Sequence, residues 1–197
     1  ITLHEAAHAF AAKYFGDTTA YAQGRMSLNP AKHIDPFGTI VIPVVLYLAT
    51  GGAFLFGYAK PVPIDFGKLR KPKRDMAWVA LAGPGANFIM AFMWLVFSVV
   101  LTALQIDEAF FSQMARAGVL TNLVMFAFNL FPVPPLDGSH IIRHFLPEPM
   151  LQLYDKMGML GLVLLFVVGV RFLGRIIRPV FRVSDGMLQH LPPLHPL

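Results

Sequence analysis

Met76-Ala-Trp-Val-Ala-Leu-Ala-Gly-Pro-Gly-Ala-Asn-Phe-Ile-Met-Ala-Phe-Met-Trp-Leu-Val-Phe-Ser-Val-Val-Leu-Thr-Ala-Leu104 is an apolar run long enough to cross a bilayer with some tilt. Lys60, Lys68, Arg70, Lys71, Lys73 and Arg74 precede it against two anions, Asp65 and Asp75, whereas the link after it, with Asp107 and Glu108, has little positive charge. That asymmetry predicts a cytoplasmic loop before the span and an inside-to-outside direction, although an ordinary solvated loop is equally compatible with the basic run.

Composition extends the same reading to the whole chain. Of 197 residues, 56% are hydrophobic and only 14% charged, and the mean hydropathy is +0.60. These values lie outside the range of soluble domains and predict an all-α, multispanning membrane protein, a helical bundle. The net charge of +5 sits at the ends of apolar runs, which argues for membrane orientation and against a nucleic-acid partner. No cysteine is present, so no disulfide can form, any zinc must take nitrogen and oxygen ligands, and the redox compartment is left open.

Residues 1 to 15 read as half of a spanning helix ended by Gly16-Asp17, and an N-terminal segment is expected before Ile1 because three residues cannot build the flank of an embedded helix at His4. Asp17 to Pro36 is a polar, turn-rich connection. Gly38 to Phe56 is apolar but interrupted by Pro43 and Gly51-Gly52, so it either spans or re-enters; the re-entrant form is favoured, with strand-like backbone that an unwound peptide could pair with. Ala117 to Phe131 returns across the bilayer and carries Pro132 to Asp137 back to the inner leaflet. Met150 to Leu173 is a further span with Gly158, Gly161 and Gly169 for close packing, ending in Arg171, Arg175, Arg178 and Arg182. Those arginines conflict with the parity of the spans: either the segment after Asp137 re-enters or the charge rule fails there. One core, residues 1–182, is expected, followed by a short Pro-rich tail, 183–197.

His4-Glu5-Ala6-Ala7-His8 is where this chain carries chemistry. On a helix, residues i and i+4 face one side, so the two imidazoles can grip one Zn²⁺ with Glu5 beside them as a base. Such a string arises by chance in fewer than about one in a hundred chains of this length. Catalytic zinc usually takes three protein ligands, and the strongest candidate for the third is Asp137, in Asn129-Leu-Phe-Pro-Val-Pro-Pro-Leu-Asp137-Gly138, where prolines break an apolar helix at membrane depth. An Asp before Gly is also a common turn or N-cap residue.

With these stretches, Asn29-Pro30 with His33-Ile34-Asp35-Pro36-Phe37-Gly38-Thr39, Ala59-Lys60-Pro61-Val62-Pro63 and Ala82-Gly83-Pro84-Gly85-Ala86-Asn87, most of the chain resembles the site-2 protease family of intramembrane zinc metallopeptidases, in its compact bacterial branch without fused PDZ or CBS domains. The resemblance implies one zinc held by His4, His8 and Asp137, Glu5 as general base and acid, and for Asn129 a part in orienting the substrate carbonyl or the oxyanion. It also implies a multi-pass bacterial inner-membrane enzyme that cuts transmembrane protein substrates in regulated intramembrane proteolysis. Asn129 lies two helical turns before Asp137, on one face if the helix were intact; an Asn bonding neighbouring helix backbone is the alternative.

Other polar residues have plainer explanations. His33 and Asp35 fit loop capping, His140 and His144 fit an interfacial short helix, and Asn87 fits close helix packing. Two other function classes compete: a metal transporter, which needs further ligands along a path, and an inactive membrane scaffold, which has no use for Glu5.

Overall fold

The computed structural model describes residues 1–52, 57–106 and 108–152, together with 154 and 156. The expected span from Met150 to Leu173 past its first few residues, the arginines that end it and the Pro-rich tail lie outside them. Among the described residues every regular element is helical: α1 (Thr2–Phe15), α2 (Thr19–Ala22), α3 (Ile42–Ala49), α4 (Pro72–Ala103), α5 (Ala109–Asn129) and α6 (Asp137–Arg143), with short 3-10 turns at Pro30–His33 and Phe66–Lys68.

α1 is alanine-rich, and its buried face consists of Ala6, Ala9 and Ala12 with His4 and His8 between them. Small side chains let this face lie close against α4. Gly16, at φ 115°, ends the helix: its N–H reaches the Lys13 carbonyl and the Asp17 N–H reaches Ala12, a left-handed cap that a side chain would strain. Ala12 packs with Leu69 and Val79, and Ala9 with Ala20 and Val62, so α1 is wedged between α4 and the loop before it.

α4 starts where the sequence offers both start signals. Pro72 occupies the first turn, where its missing N–H costs nothing, and the buried Asp75 carboxylate accepts the Lys71 N–H at 2.8 Å. Its 32 residues make it, among the described residues, the one helix long and apolar enough to cross a membrane. One side carries large exposed apolar groups: Phe88, Ile89, Phe92, Met93, Val96 and Val99. α5 begins eight residues earlier than the apolar pattern places it and packs antiparallel to α4. Trp94 covers Gly118, where a Cβ would overlap the indole, and the Phe88 and Phe126 rings lie 5.3 Å apart. In that register α5 ends level with Gly83–Gly85.

Two expectations change. Across residues 36–49 the backbone is not strand-like: a π-helical turn, Pro36–Val41, runs into α3. Pro43 sits in the first turn of α3 and starts that helix instead of interrupting it. Helical throughout, with the Gly38 carbonyl taken by the Tyr58 N–H, this stretch presents no strand edge to a peptide, and its length of about 21 Å falls short of the roughly 30 Å hydrocarbon core. The prolines do end the helix of Asn129 before Asp137, as expected: the chain turns at 130–136 and Asp137 opens α6.

Asp17 ties the end of α1 to the loop before α4. One of its oxygens accepts the Thr19 N–H at 2.9 Å and the Thr19 hydroxyl, and the other accepts the Asp65 N–H at 2.8 Å. Burial alone would raise the pKa of Asp17, but the Thr19 and Asp65 donors and nearby Lys68 outweigh it and hold the carboxyl below its ordinary value. The stabilisation is therefore complete above about pH 4 and disappears as the pH falls through the lowered value. Asp17→Asn should lose about 1–3 kcal/mol at neutral pH. The gap from wild type should close below about pH 4, as measured by thermal or denaturant unfolding across the acid range.

Candidate metal centre

Three side chains from two distant parts of the chain converge on one point. His4 and His8 project from the same face of α1, one turn apart, with Nε2 atoms 3.1 Å from each other. Asp137, at the start of α6, faces both: Oδ2 lies 3.2 Å from His4 Nε2 and Oδ1 lies 3.3 Å from His8 Nε2. Both histidines are buried, 6% exposed, and Asp137 is the more open of the three.

Four-coordinate zinc with nitrogen and oxygen ligands at about 2.0–2.2 Å needs neighbouring donor atoms about 3.3–3.6 Å apart. The donor set here is already near that spacing, and all three donor atoms lie within 4.8 Å of one another. Asp137 Oδ2 is also buried and makes no well-directed hydrogen bond, meeting His4 Nε2 only as an ion-pair contact at 3.2 Å. Chemistry and geometry both fit zinc.

The arrangement depends on α4. His8 Nδ1 lies 2.7 Å from the Val79 carbonyl, an acceptor only, so that nitrogen carries the proton and Nε2 presents its lone pair to the cluster. One turn on, Gly83 leaves the space that the imidazoles fill: a Cβ there would overlap His8 and press on His4 Cε1. A further turn on, the fully buried Asn87 amide lies 3.0 Å from His4 Nδ1. Pro84 supplies no N–H to the Ala80 carbonyl, which loosens the helix ladder beside these contacts.

Asp137 is placed by Gly138. A Cβ at that glycine would collide with the Leu130 and Phe131 backbone, so only glycine lets the turn fold tightly enough to bring the carboxylate onto the histidines.

Glu5 stands beside the cluster and outside it. Its Oε2 accepts the Val62 N–H at 2.9 Å, which fixes the carboxylate against the loop that precedes α4. Asn129 is at the end of α5 and donates to the Met125 carbonyl at 2.9 Å, a bond back to its own helix. Asp35 caps the turn after it through the Phe37 and Gly38 N–H groups, and buried His33 bonds the Ser27 carbonyl at 2.8 Å. His140 lies on short α6 against the Phe66 ring, and His144 caps that helix. Sequence reasoning missed Asn87 as a neighbour of the metal group, together with the Val79 carbonyl and Val62 N–H. The spacing of Val79, Gly83 and Asn87, each one turn from the next, is the signal that could have found the asparagine.

Known proteins are similar to this chain in sequence. A Bacillus subtilis (strain 168) protein named "Putative zinc metalloprotease YwhC" is 40% identical over 178 residues, covering 88% of this chain and 77% of that protein. Two mycobacterial proteins with the same printed description of zinc metalloprotease are 36% identical (Mycolicibacterium smegmatis) and 33% identical (Mycobacterium tuberculosis) over 154 residues, 75% of this chain. This chain spans about half of those two, 55% of their length. No protein-family model matches the chain, and no solved structure matches it significantly.

Gly83→Ala should lower zinc affinity by at least about tenfold, because displacing a supporting contact of a ligand typically costs 10- to 100-fold. Helical content should stay near wild type. Zinc titration against a chromogenic chelator, with circular dichroism alongside, measures both.

Proposed function

The chain belongs to the zinc metalloprotease family of these relatives, and from that premise we propose that it is an intramembrane endopeptidase of the site-2 type. It would sit as a multispanning protein in the bacterial cell membrane and cut membrane-spanning substrates near the cytoplasmic side. One observation carries this reading: the metal group packs on Val79, Gly83 and Asn87, in the first half of the one described helix fit to cross a bilayer. Measured from Met76, where the apolar run starts beside the basic loop, Gly83 lies roughly 10 Å along the helix, within the inner half of a hydrocarbon core of about 30 Å. The exposed Phe, Ile, Met and Val side chains on the same helix suit lipid and would be costly in water.

His4, His8 and Asp137 would hold the ion, two neutral donors and one anion, leaving a net positive centre. When bound, zinc supplies Lewis-acid polarisation of the scissile carbonyl and makes an attacking water more acidic. Glu5 is the proton carrier. The Val62 N–H holds Glu5 Oε2, so Oε1 is the oxygen left to take the proton of the attacking water and pass it to the departing amine. His8 is kept in its ligating tautomer by the Val79 carbonyl. Asn129, turned back on its own helix at the level of Gly83–Gly85, would have to release Met125 before it could contact a substrate carbonyl. A substrate helix must also unwind before any peptide bond is reachable.

The test is reconstitution of the protein in vesicles with a single-span substrate. Glu5→Gln should keep zinc and cut about 10²- to 10⁴-fold more slowly, the usual contribution of a general base. Asp137→Ala should lose both zinc and cleavage. Full-rate cutting by Glu5→Gln would remove Glu5 from the mechanism, and zinc flux across the vesicles without proteolysis would identify a transporter instead.

A further inference from the structure

Asn87 makes a contact that packing does not require. It is fully buried on α4, and its side-chain nitrogen lies 3.0 Å from His4 Nδ1. Its own oxygen, Oδ1, is buried with no hydrogen-bond partner. A buried amide that satisfies one end and strands the other costs about 1–3 kcal/mol.

Which end of the amide faces His4 is set by the tautomer of that ring. In this arrangement the Asn87 NH2 donates to an unprotonated Nδ1, so the His4 proton sits on Nε2, the atom facing Asp137 and His8. A histidine that ligates through Nε2 must carry its proton on Nδ1, which then needs an acceptor. The two ends of a carboxamide are nearly identical in shape. Rotating the Asn87 amide by half a turn brings Oδ1 to His4 Nδ1–H without moving the helix and leaves the NH2 in the place the oxygen vacates, so in either orientation one end of the amide bonds His4.

We infer that Asn87 is a positioning residue for the metal: with zinc bound, its Oδ1 accepts from His4 Nδ1–H and holds His4 Nε2 on the ion, whereas its NH2 donates when His4 carries its proton on Nε2. This rests on the assignment of His4 as a ligand. Asparagine suits the position because it serves both tautomers and adds no charge to a buried site. Aspartate keeps the acceptor and loses the donor, and leucine, of similar size, keeps neither.

The experiment compares wild type, Asn87→Leu, Asn87→Asp and His4→Ala, all full-chain protein in detergent. Zinc affinity is measured by chelator competition, cobalt binding by its visible absorption, and melting temperature with and without zinc. Asn87→Leu should weaken zinc 10- to 100-fold and alter the cobalt spectrum, while Asn87→Asp should stay within about threefold of wild type or bind more tightly. Asn87→Asp should also melt below wild type without zinc and regain most of the difference with it. If Asn87→Leu fails to fold, Asn87→Asp decides the matter: a loss of tenfold or more in zinc affinity with the acceptor retained would overturn the inference. Wild-type zinc affinity in folded Asn87→Leu, alongside its loss in His4→Ala, would also overturn it while leaving the ligand assignment intact. Zinc retained in His4→Ala would overturn the ligand assignment and the inference with it.

Discussion

The close approach of α1 to α4 at Gly83 is the constraint on which the rest of the structure depends. Two imidazoles one turn apart on α1 need room against a neighbouring helix, and only a missing Cβ provides it. The same contact delivers the Val79 carbonyl and the Asn87 amide to the two outer ring nitrogens. Alanines at 6, 9 and 12 permit the approach from one side, while the turn around Pro84 loosens the ladder on the other. Buried polar atoms in such surroundings persist only when paired, so the helix contact and the donor set are one interdependent structure.

The third donor reaches this contact by a different route. α5 runs back along α4, Trp94 resting on Gly118, and stops level with the histidines. Prolines then prevent the helix from continuing, and Gly138 lets the chain fold onto its own backbone so that Asp137 points inward. A continuous helix could not do this, since its next residues would pass the site instead of entering it. Glu5 is fixed by the Val62 N–H, a donor made available between two prolines that have none.

Much of this was legible in the sequence. The 3.6-residue period brings His4 and His8 to one face, Gly16 ends α1, and the proline-broken stretch before Asp137 ends the helix and turns that carboxylate toward the histidines; each signal is local, and local physics suffices to read it. Asn87 was not legible in the same way. Its role depends on a ring more than eighty residues away, and next to Gly83-Pro84-Gly85 it reads as a packing position. Residues 36–49 misled for a related reason: Pro43 normally signals interruption, but in the first turn of a helix it is neutral, and only the structure shows where that turn begins. The multispanning bundle and the orientation of its spans rest on hydropathy and charge, and among the described residues one helix meets the length and apolarity that a span needs.

The wide separation in sequence of the three converging side chains orders events during biosynthesis. His4 and His8 leave the ribosome first, their seat on α4 follows, and Asp137 comes last. At about 5–20 residues per second the interval from the first donor to the last is on the order of ten seconds. Throughout that interval the nascent chain holds two imidazoles and a carboxylate but no complete donor set. The full set of three converging side chains therefore exists only after α4 and α5 are both made, and a chain cut short before Asp137 lacks the third.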